Sequence, residues 1–128
     1  MTGYVGPIDA VTVENSDFRR VLFTASHMQL VAMCLQPGED IGDEVHASVD
    51  QFFRIEQGEA LIVFKEKEEH RVRGGDAIVV PAGTWHNVIN TSMTNSLKLY
   101  TLYAPPNHPA GTVHTTKAEA SAAEMRER

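Results

Sequence analysis

"GDAIVVPAGTWHNVIN", residues 75–90, is the stretch that decides the fold. The apolar run Ala77 to Val80 leads into a Pro-Ala-Gly turn, and His86 begins a second short run three residues later. In an extended chain alternate side chains share a face, so Val88 and Asn90 lie on the same face as His86. The stretch therefore predicts two short strands joined by a tight turn, with an imidazole at the start of the second strand.

The same organisation recurs along the chain, because short apolar or alternating runs are repeatedly bounded by turn residues. The predicted strands are Phe18 to Thr24, Met28 to Leu35, Gln51 to Gln57, Ala60 to Lys65, Ala77 to Val80, His86 to Asn90 and Leu97 to Tyr103. Short strands at this spacing predict an all-β sandwich or barrel. Helix-period segments are almost absent before residue 115, and the mixed-charge run at 65–75 is interpreted as a solvated turn. The tail is the exception, since Thr115 or Thr116 can cap a short C-terminal helix.

Length and composition favour one globular domain and exclude several classes of partner. The chain has 128 residues, 42% of them hydrophobic, with a formal net charge of −6 at pH 7. An acidic chain lacks the basic surface that nucleic acids and anionic membranes require. No run approaches the roughly 18 apolar residues of a membrane span, and no secretory leader is seen, so we expect a cytoplasmic location. Cys34, the single cysteine, is predicted to be a buried small hydrophobe.

The stretch "EVHASVDQ", residues 44–51, carries polar groups that a core does not need. Glu44 and His46 occupy alternate positions and would project side by side, and Gln51 follows five residues after His46. Together with His86 these side chains offer two imidazole nitrogens, one carboxylate and one amide oxygen, a set that suits a divalent transition metal. Without an ion, the histidines would need hydrogen-bond partners inside the barrel, and Glu44 would be an acid buried at considerable cost.

The spacing of both stretches resembles the two motifs of the cupin superfamily. The positions Gly, His-x-His, Glu and Gly of the first motif are occupied here by Gly38, Glu44-Val45-His46, Gln51 and Gly58. The positions Gly, Pro-x-Gly, His and Asn of the second are occupied by Gly75, Pro81, Gly83, His86 and Asn90. The resemblance implies a single domain, residues 1–128, with a double-stranded β-helix (jelly-roll) barrel. Motif 1 would span about 38–58, motif 2 about 75–90, and a C-terminal extension about 104–128.

The resemblance also implies one divalent transition metal at the barrel mouth, bound by Glu44, His46, Gln51 and His86. The chain departs from the family's three His and one Glu at two positions, because Glu44 replaces the first His and Gln51 the usual Glu. One carboxylate is kept and one imidazole becomes an amide, which favours Fe, Mn, Co or Zn over copper and still admits Ni. Gln51 either binds the ion directly or hydrogen-bonds a metal-bound water.

Other positions are candidates for the pocket wall and for a partner surface. If Gln51 points inward, Phe53 does too, and Tyr103 points inward from the last strand, so both are candidates for substrate binding. Tyr103, His108 and His114 are candidate catalytic residues, the two histidines on condition that the proline-rich segment folds over the mouth. Outward aromatic and apolar side chains predict a homodimer, as in many cupins; they are Phe52, Trp85 and Ile89.

The fold does not choose the chemistry, so three functions stay open. The first is a metal-dependent enzyme acting on a polar small molecule, with the ion as a Lewis acid in isomerase, epimerase or lyase chemistry. Mannose-6-phosphate isomerases, relatives with mixed Gln, His and Glu ligands, suggest a sugar or sugar phosphate as the substrate. The second is a non-haem metal dioxygenase, which oxygen uptake would distinguish from the first. The third is a non-catalytic small-molecule binding protein.

Overall fold

The computed structural model describes residues 2–127, and the side chains of residues 2–126, as two antiparallel β-sheets with short helices at either end. The elements are α1 (Ile8–Glu14), β1 (Arg19–Thr24), β2 (Gln29–Leu35), β3 (Asp50–Gln57), β4 (Glu59–Phe64), β5 (Glu68–Arg73), β6 (Ala77–Val80), β7 (His86–Asn90), β8 (Leu97–Ala104), β9 (Val113–His114) and α2 (Lys117–Glu127). The larger sheet has the order β6-β3-β8-β2-β1-β9, and the smaller has the order β5-β4-β7. The predicted all-β jelly roll with a C-terminal helix is confirmed.

The core lies between the two sheets and follows the period-two pattern. In β3 the side chains of Gln51, Phe53 and Ile55 are buried, and in β8 those of Thr101 and Tyr103 are buried. These two strands pair antiparallel, with Gln51 directly opposite Tyr103. Burying an apolar side chain of this size contributes about 1.5–3 kcal/mol. The alternation confirms that Gln51, Phe53 and Tyr103 point inward, which brings polar groups to one end of an apolar core.

The polar motif residue Asn90 ties loops together. Its Nδ2 donates to the carbonyl oxygens of Leu35 (3.2 Å), Gln36 (3.1 Å) and Asn95 (2.9 Å). Its Oδ1 accepts a hydrogen bond from the Ser92 N–H at 3.0 Å. A buried amide is stable only when its donors and acceptor are satisfied, and here they join three chain segments. Asn90 therefore has a structural role, as its spacing in the second motif predicts.

Three elements were not predicted. β5 was interpreted as a turn because most of its residues are charged, but it pairs only with β4 and leaves most of its side chains in solvent, as edge strands do. Helix α1 was missed because its β-branched residues favour a strand and only Thr12 is buried. β9 consists of two residues that pair with Arg19 and Arg20, which is too short for a period to be seen.

The C-terminal helix begins where the sequence predicts. Thr116 Oγ1 accepts a hydrogen bond from the Glu119 N–H at 3.1 Å, which satisfies one free backbone donor of the first turn. Lys117 forms an ion pair with Asp40, and Ala120 is buried against the barrel. The start of α2 is thus anchored, whereas residues 121–126 are mostly exposed.

Two further sequence predictions can be compared with the structure. Cys34 is buried within β2 and is not disulfide-bonded, as predicted. Within residues 2–127, neither helix has the length and apolar composition needed to cross a membrane.

Candidate functional site

Backbone pairing places Glu44 directly beside His86. The Glu44 N–H donates to the His86 carbonyl oxygen at 2.8 Å, and the His86 N–H donates back to the Glu44 carbonyl oxygen at 2.9 Å. Residues facing each other in such a bridge project to the same side of the sheet. His46 is fixed by its carbonyl oxygen, which accepts from the Gly83 N–H of the Pro-Ala-Gly turn at 2.8 Å. Gly83 has φ +80°, which favours glycine.

The amide of Gln51 reaches this group from the opposite sheet. Its Nε2 donates to Thr101 Oγ1 at 3.0 Å, and its Oε1 lies 3.1 Å from His86 Nε2. Both contacts are buried. The structure therefore brings the four predicted metal ligands together, and we call Glu44, His46, Gln51 and His86 the donor cluster.

The tautomer of His86 is set by a backbone contact. Its Nδ1 lies 2.9 Å from the carbonyl oxygen of Thr84, which can only accept, so Nδ1 carries the proton. In a neutral ring Nε2 then holds a lone pair, and it faces the Gln51 Oε1, which is a second acceptor. Two facing lone pairs at 3.1 Å repel unless a cation lies between them, the ring is protonated, or the amide is reversed. Metal-binding histidines usually donate their other ring N–H to a carboxylate or a backbone carbonyl, as Nδ1 of His86 does here.

His46 lies beside this pair with an unsatisfied nitrogen. Its Nε2 is buried and has no hydrogen-bond partner among the described residues. The nearest acid is Glu44, whose Oε2 lies 3.9 Å from that nitrogen, and the two histidine rings are 5.7 Å apart between centroids. A buried nitrogen without a partner is costly, so this atom is suited to a ligand that the protein does not itself supply.

Two donor-atom separations in the donor cluster match those found around a small divalent ion. Metal–ligand distances of about 2.0–2.2 Å place adjacent donor atoms about 3 Å apart and opposite donors about 4 Å apart. The Gln51–His86 separation of 3.1 Å and the Glu44–His46 separation of 3.9 Å lie at these two values. Across the described residues, His, Cys, Asp and Glu side chains do not form a group of three or more placed to hold a metal ion, and this finding includes Glu44, His46 and His86. A metal at the donor cluster is therefore a proposal, and it includes the amide of Gln51.

The electrostatics of the donor cluster are dominated by burial. Burial raises the pKa of Glu44 to about 7, against the opposing effect of the positive charge on Arg19, and Glu124 and Asp43 raise it further. Burial also lowers the pKa of His46, and the neighbouring His86 and Arg19 add to that shift. The protein environment thus penalises charge on both residues.

The proline-rich segment folds back so that His108 contacts Tyr103. The His108 Nε2 lies 3.3 Å from the Tyr103 hydroxyl, and the two rings meet edge to face at 5.2 Å. Burial and the charge of Arg19 lower the pKa of His108 to about 3, while burial raises the pKa of Tyr103. Both groups are therefore neutral at physiological pH. His114, the third candidate, lies in β9 with its Nδ1 3.4 Å from Arg19 Nη1 and is not hydrogen-bonded to Tyr103.

Two residues of this region were not singled out from the sequence. Gln29 is completely buried and holds the proline-rich segment, because its Oε1 accepts from the backbone N–H groups of Asn107 and His108. Arg19 is 1% exposed and lies close enough to influence the titration of Glu44, Tyr103 and His108. Both share their strand's inward face with apolar residues, Val31 for Gln29 and Val21 for Arg19, and this alternation was the available signal.

The remaining predicted positions surround the donor cluster rather than extend it. Phe53 is buried, and its ring lies edge to face 6.1 Å from the ring of His86, which it helps to orient. Phe52 lies in β3 and Ile89 in β7, so they belong to different sheets, while Trp85 is 47% exposed before β7. A surface groove of about 420 Å³ lies between β5 and β6, and none of the donor cluster lines it.

Comparison with known proteins supports the same architecture. A family model described as "Cupin domain" matches residues 31–103. The uncharacterized protein YrkC of Bacillus subtilis is 54% identical over 94% of this chain and 67% of its own length. The uncharacterized protein L612 of Acanthamoeba polyphaga mimivirus is 45% identical over 91% of this chain and 74% of its own length. The crystal structure of BH2720 from Bacillus halodurans superposes with a TM-score of 0.90 and 48% identity, covering 93% of each chain. With its two motifs, its paired sheets and these relatives, the chain belongs to the cupin superfamily.

Proposed function

We propose that this cupin is a metal-dependent enzyme acting on a small hydroxy-carbonyl compound of the sugar or sugar-phosphate type, by isomerase, epimerase or lyase chemistry. One observation carries the proposal: the buried Nε2 of His46 has no partner among the described residues, and it lies beside His86 Nε2 and Gln51 Oε1, which are 3.1 Å apart. A divalent cation would satisfy all three atoms at once.

Four side chains would bind the ion, and they supply different donor atoms. Glu44 supplies the negative charge, the two imidazoles supply nitrogen, and Gln51 supplies an amide oxygen. The bound ion would act as a Lewis acid that polarises a substrate carbonyl. The mixture of oxygen and nitrogen donors favours Fe, Mn, Co, Zn or Ni.

Tyr103 and His108 would bind and orient the substrate. With the pKa of the imidazole at about 3 and that of the phenol raised, a shared proton stays on Tyr103. Because that proton is directed at His108, the Tyr103 oxygen is suited to accept a hydrogen bond from a substrate hydroxyl, and the buried ring of Tyr103 next to His46 excludes water from that side.

The first experiment measures the metal. We expect about one divalent ion per chain in purified protein and loss of most of it in His86→Ala, because that imidazole is a direct ligand. His70→Ala is the matched control, since His70 is an exposed histidine of β5. Full metal occupancy in His86→Ala, measured by elemental analysis, would rule out the assigned site.

The second experiment separates the candidate chemistries. Sugars and sugar phosphates are incubated anaerobically with metal-loaded protein, and isomer or elimination products are followed by NMR. Turnover without oxygen supports the proposal. Oxygen uptake in proportion to turnover would assign a dioxygenase instead, and metal binding without turnover in either atmosphere would assign a binding protein.

A further inference from the structure

Arg19 is a buried cation whose hydrogen-bonding capacity is largely unused. Its side chain is 2% exposed, whereas that of its neighbour Arg20 is 56% exposed. A guanidinium offers five N–H donors, but Nε has no partner among the described residues. Nη1 makes only a 3.4 Å contact with His114 and a 3.8 Å contact with Glu124. A buried charge with such weak compensation costs several kcal/mol, so the surroundings of Arg19 lack a hydrogen-bond acceptor.

Arg19 faces the same space as the donor cluster. It projects inward from β1, and its Cζ lies 5.4 Å from the ring centroid of Phe18, a contact that helps to position the guanidinium. Its positive charge contributes to the pKa shifts of Glu44, His46, Tyr103 and His108. A ligand at the barrel mouth would therefore meet a guanidinium as well as any ion at the donor cluster.

The contact with Glu124 shows that a carboxylate can approach the guanidinium of Arg19. Glu124 lies on α2 and its side chain is 48% exposed, with one oxygen 3.8 Å from Nη1, which is longer than a hydrogen bond. The helix is anchored at its start by Lys117 and Ala120, about one turn before Glu124. A carboxylate delivered by a ligand could make the parallel two-bond contact with the guanidinium that Glu124 does not make.

We propose that Arg19 binds the carboxylate of a small organic acid, and that Glu124 occupies this guanidinium until the ligand displaces it. The inference rests on the proposed function where it narrows the hydroxy-carbonyl substrate to one that carries a carboxylate and excludes the sugar phosphates, but the anion site itself does not require the metal. A singly charged carboxylate fits better than a phosphate dianion, because the Glu124 carboxylate already lies 3.8 Å from Arg19 Nη1 and a dianion would add more like charge beside it.

The test uses the full chain, as purified and again after removal of metal with EDTA. The Nε–H signal of Arg19 is followed by ¹H–¹⁵N NMR during titration with glycolate, and with glycolamide as the neutral isostere. We expect a saturable shift with glycolate and none with glycolamide. An equal shift with both compounds, or no saturable shift with glycolate, would overturn the proposal, and tighter binding of inorganic phosphate than of glycolate would overturn the carboxylate assignment.

Glu124→Gln gives the sharper result, because it removes the carboxylate that competes with the ligand and leaves the buried charge of Arg19 unchanged. We expect it to tighten glycolate binding between about 1.5-fold and about 5-fold, the range that half-exposed ion pairs produce. Glu69→Gln removes an equal charge from exposed β5 and is expected to change nothing. Equal affinities in the two variants would show that Glu124 does not compete for Arg19. Arg19→Lys keeps the charge but loses the parallel N–H donors of the guanidinium, so it should weaken glycolate binding at least 10-fold if the variant folds.

The two proposals fail in different ways. Glycolate binding by a chain that takes up no metal would refute the proposed function and leave the Arg19 site intact. Metal uptake without glycolate binding would refute only the Arg19 site.

Discussion

Gln29 offers the most direct test of how the site is assembled, through the substitution Gln29→Met. The side chain makes four hydrogen bonds: Nε2 donates to Thr24 Oγ1 (2.9 Å) and the His108 carbonyl oxygen (2.7 Å), and Oε1 accepts from the Asn107 N–H (3.1 Å) and the His108 N–H (3.0 Å). Methionine keeps the volume and removes all four, so the cavity contribution is small.

The magnitude follows from these bonds. Each is worth about 0.5–1.5 kcal/mol net, but the backbone groups of residues 107 and 108 regain water if the segment lifts. We therefore expect Gln29→Met to lower the free energy of unfolding by about 2–4 kcal/mol, a fall of about 1–2 M in the urea midpoint. The amides of Asn107 and His108 should exchange faster with solvent deuterium than in wild type, because their acceptor is gone.

The measurements are urea denaturation and amide hydrogen exchange, with Gln57→Met as the control because Gln57 is exposed at the end of β3. A loss of less than about 0.5 kcal/mol together with unchanged protection at residues 107 and 108 would refute the reasoning. That result would mean that the prolines alone hold the segment in place. The expected result would identify Gln29 as the residue that positions His108 against Tyr103.

Three further predictions test the ligands, a turn and the C-terminal anchor. Glu44→Gln should weaken metal affinity more than Gln51→Ala, because it removes the only carboxylate of the donor cluster; calorimetric titration with Zn(II) or Mn(II) measures both, and the reverse order contradicts the charge argument. Gly58→Ala should lower the free energy of unfolding, measured in urea, by about 1–3 kcal/mol, because Gly58 has φ +100° and an added Cβ would lie 3.0 Å from the Ser96 carbonyl oxygen. Gly3→Ala is the control and should be neutral, because the space around Gly3 is open. Equal stabilities of the two variants would disprove the backbone strain at Gly58. Burial opposes ionisation of Asp40, but hydrogen bonds from Lys117 and Asn87 lower its pKa below 3.8. The ionised carboxylate therefore stabilises the fold fully above about pH 4, and this stabilisation is lost as the pH falls through the lowered pKa. Asp40→Asn should thus be less stable than wild type at pH 7 and nearly equal to it near pH 2, and a difference that does not change with pH would contradict the ion pair.

Sequence patterns predicted the parts of the fold that depend on local physical chemistry. Alternating burial located β3 and β8 and placed Gln51 and Tyr103 on the inward face, and the Pro-Ala-Gly turn located β6 and β7. The edge strand β5 could not be found in this way, because only Val72 is partly buried and the other side chains lie in water, which leaves no apolar alternation. β5 forms a hairpin with β4 across residues 65–67, but these residues lack the Asn-Gly or Asp-Gly pair that marks such a turn in a sequence.

The site was predictable to the extent that motif spacing determines it. The four members of the donor cluster were named together because two motifs carry them at fixed spacings. Arg19 and Gln29 belong to neither motif, and a charged or amide residue in a strand is more often exposed. Their inward orientation follows from strand parity, but what they contact depends on the path of residues 105–126, which the sequence does not reveal.

The reciprocal backbone bonds between Glu44 and His86 separate the choice of ligand from the architecture. Since main-chain atoms alone hold residue 44 in place, its side chain can be exchanged without loss of that pairing. Glu44→His combined with Gln51→Glu would recreate the common three-imidazole, one-carboxylate set on an unchanged scaffold. In the proposed metal site, the ligand set is therefore a property that two codons would alter, while the main-chain pairing that presents residue 44 stays the same.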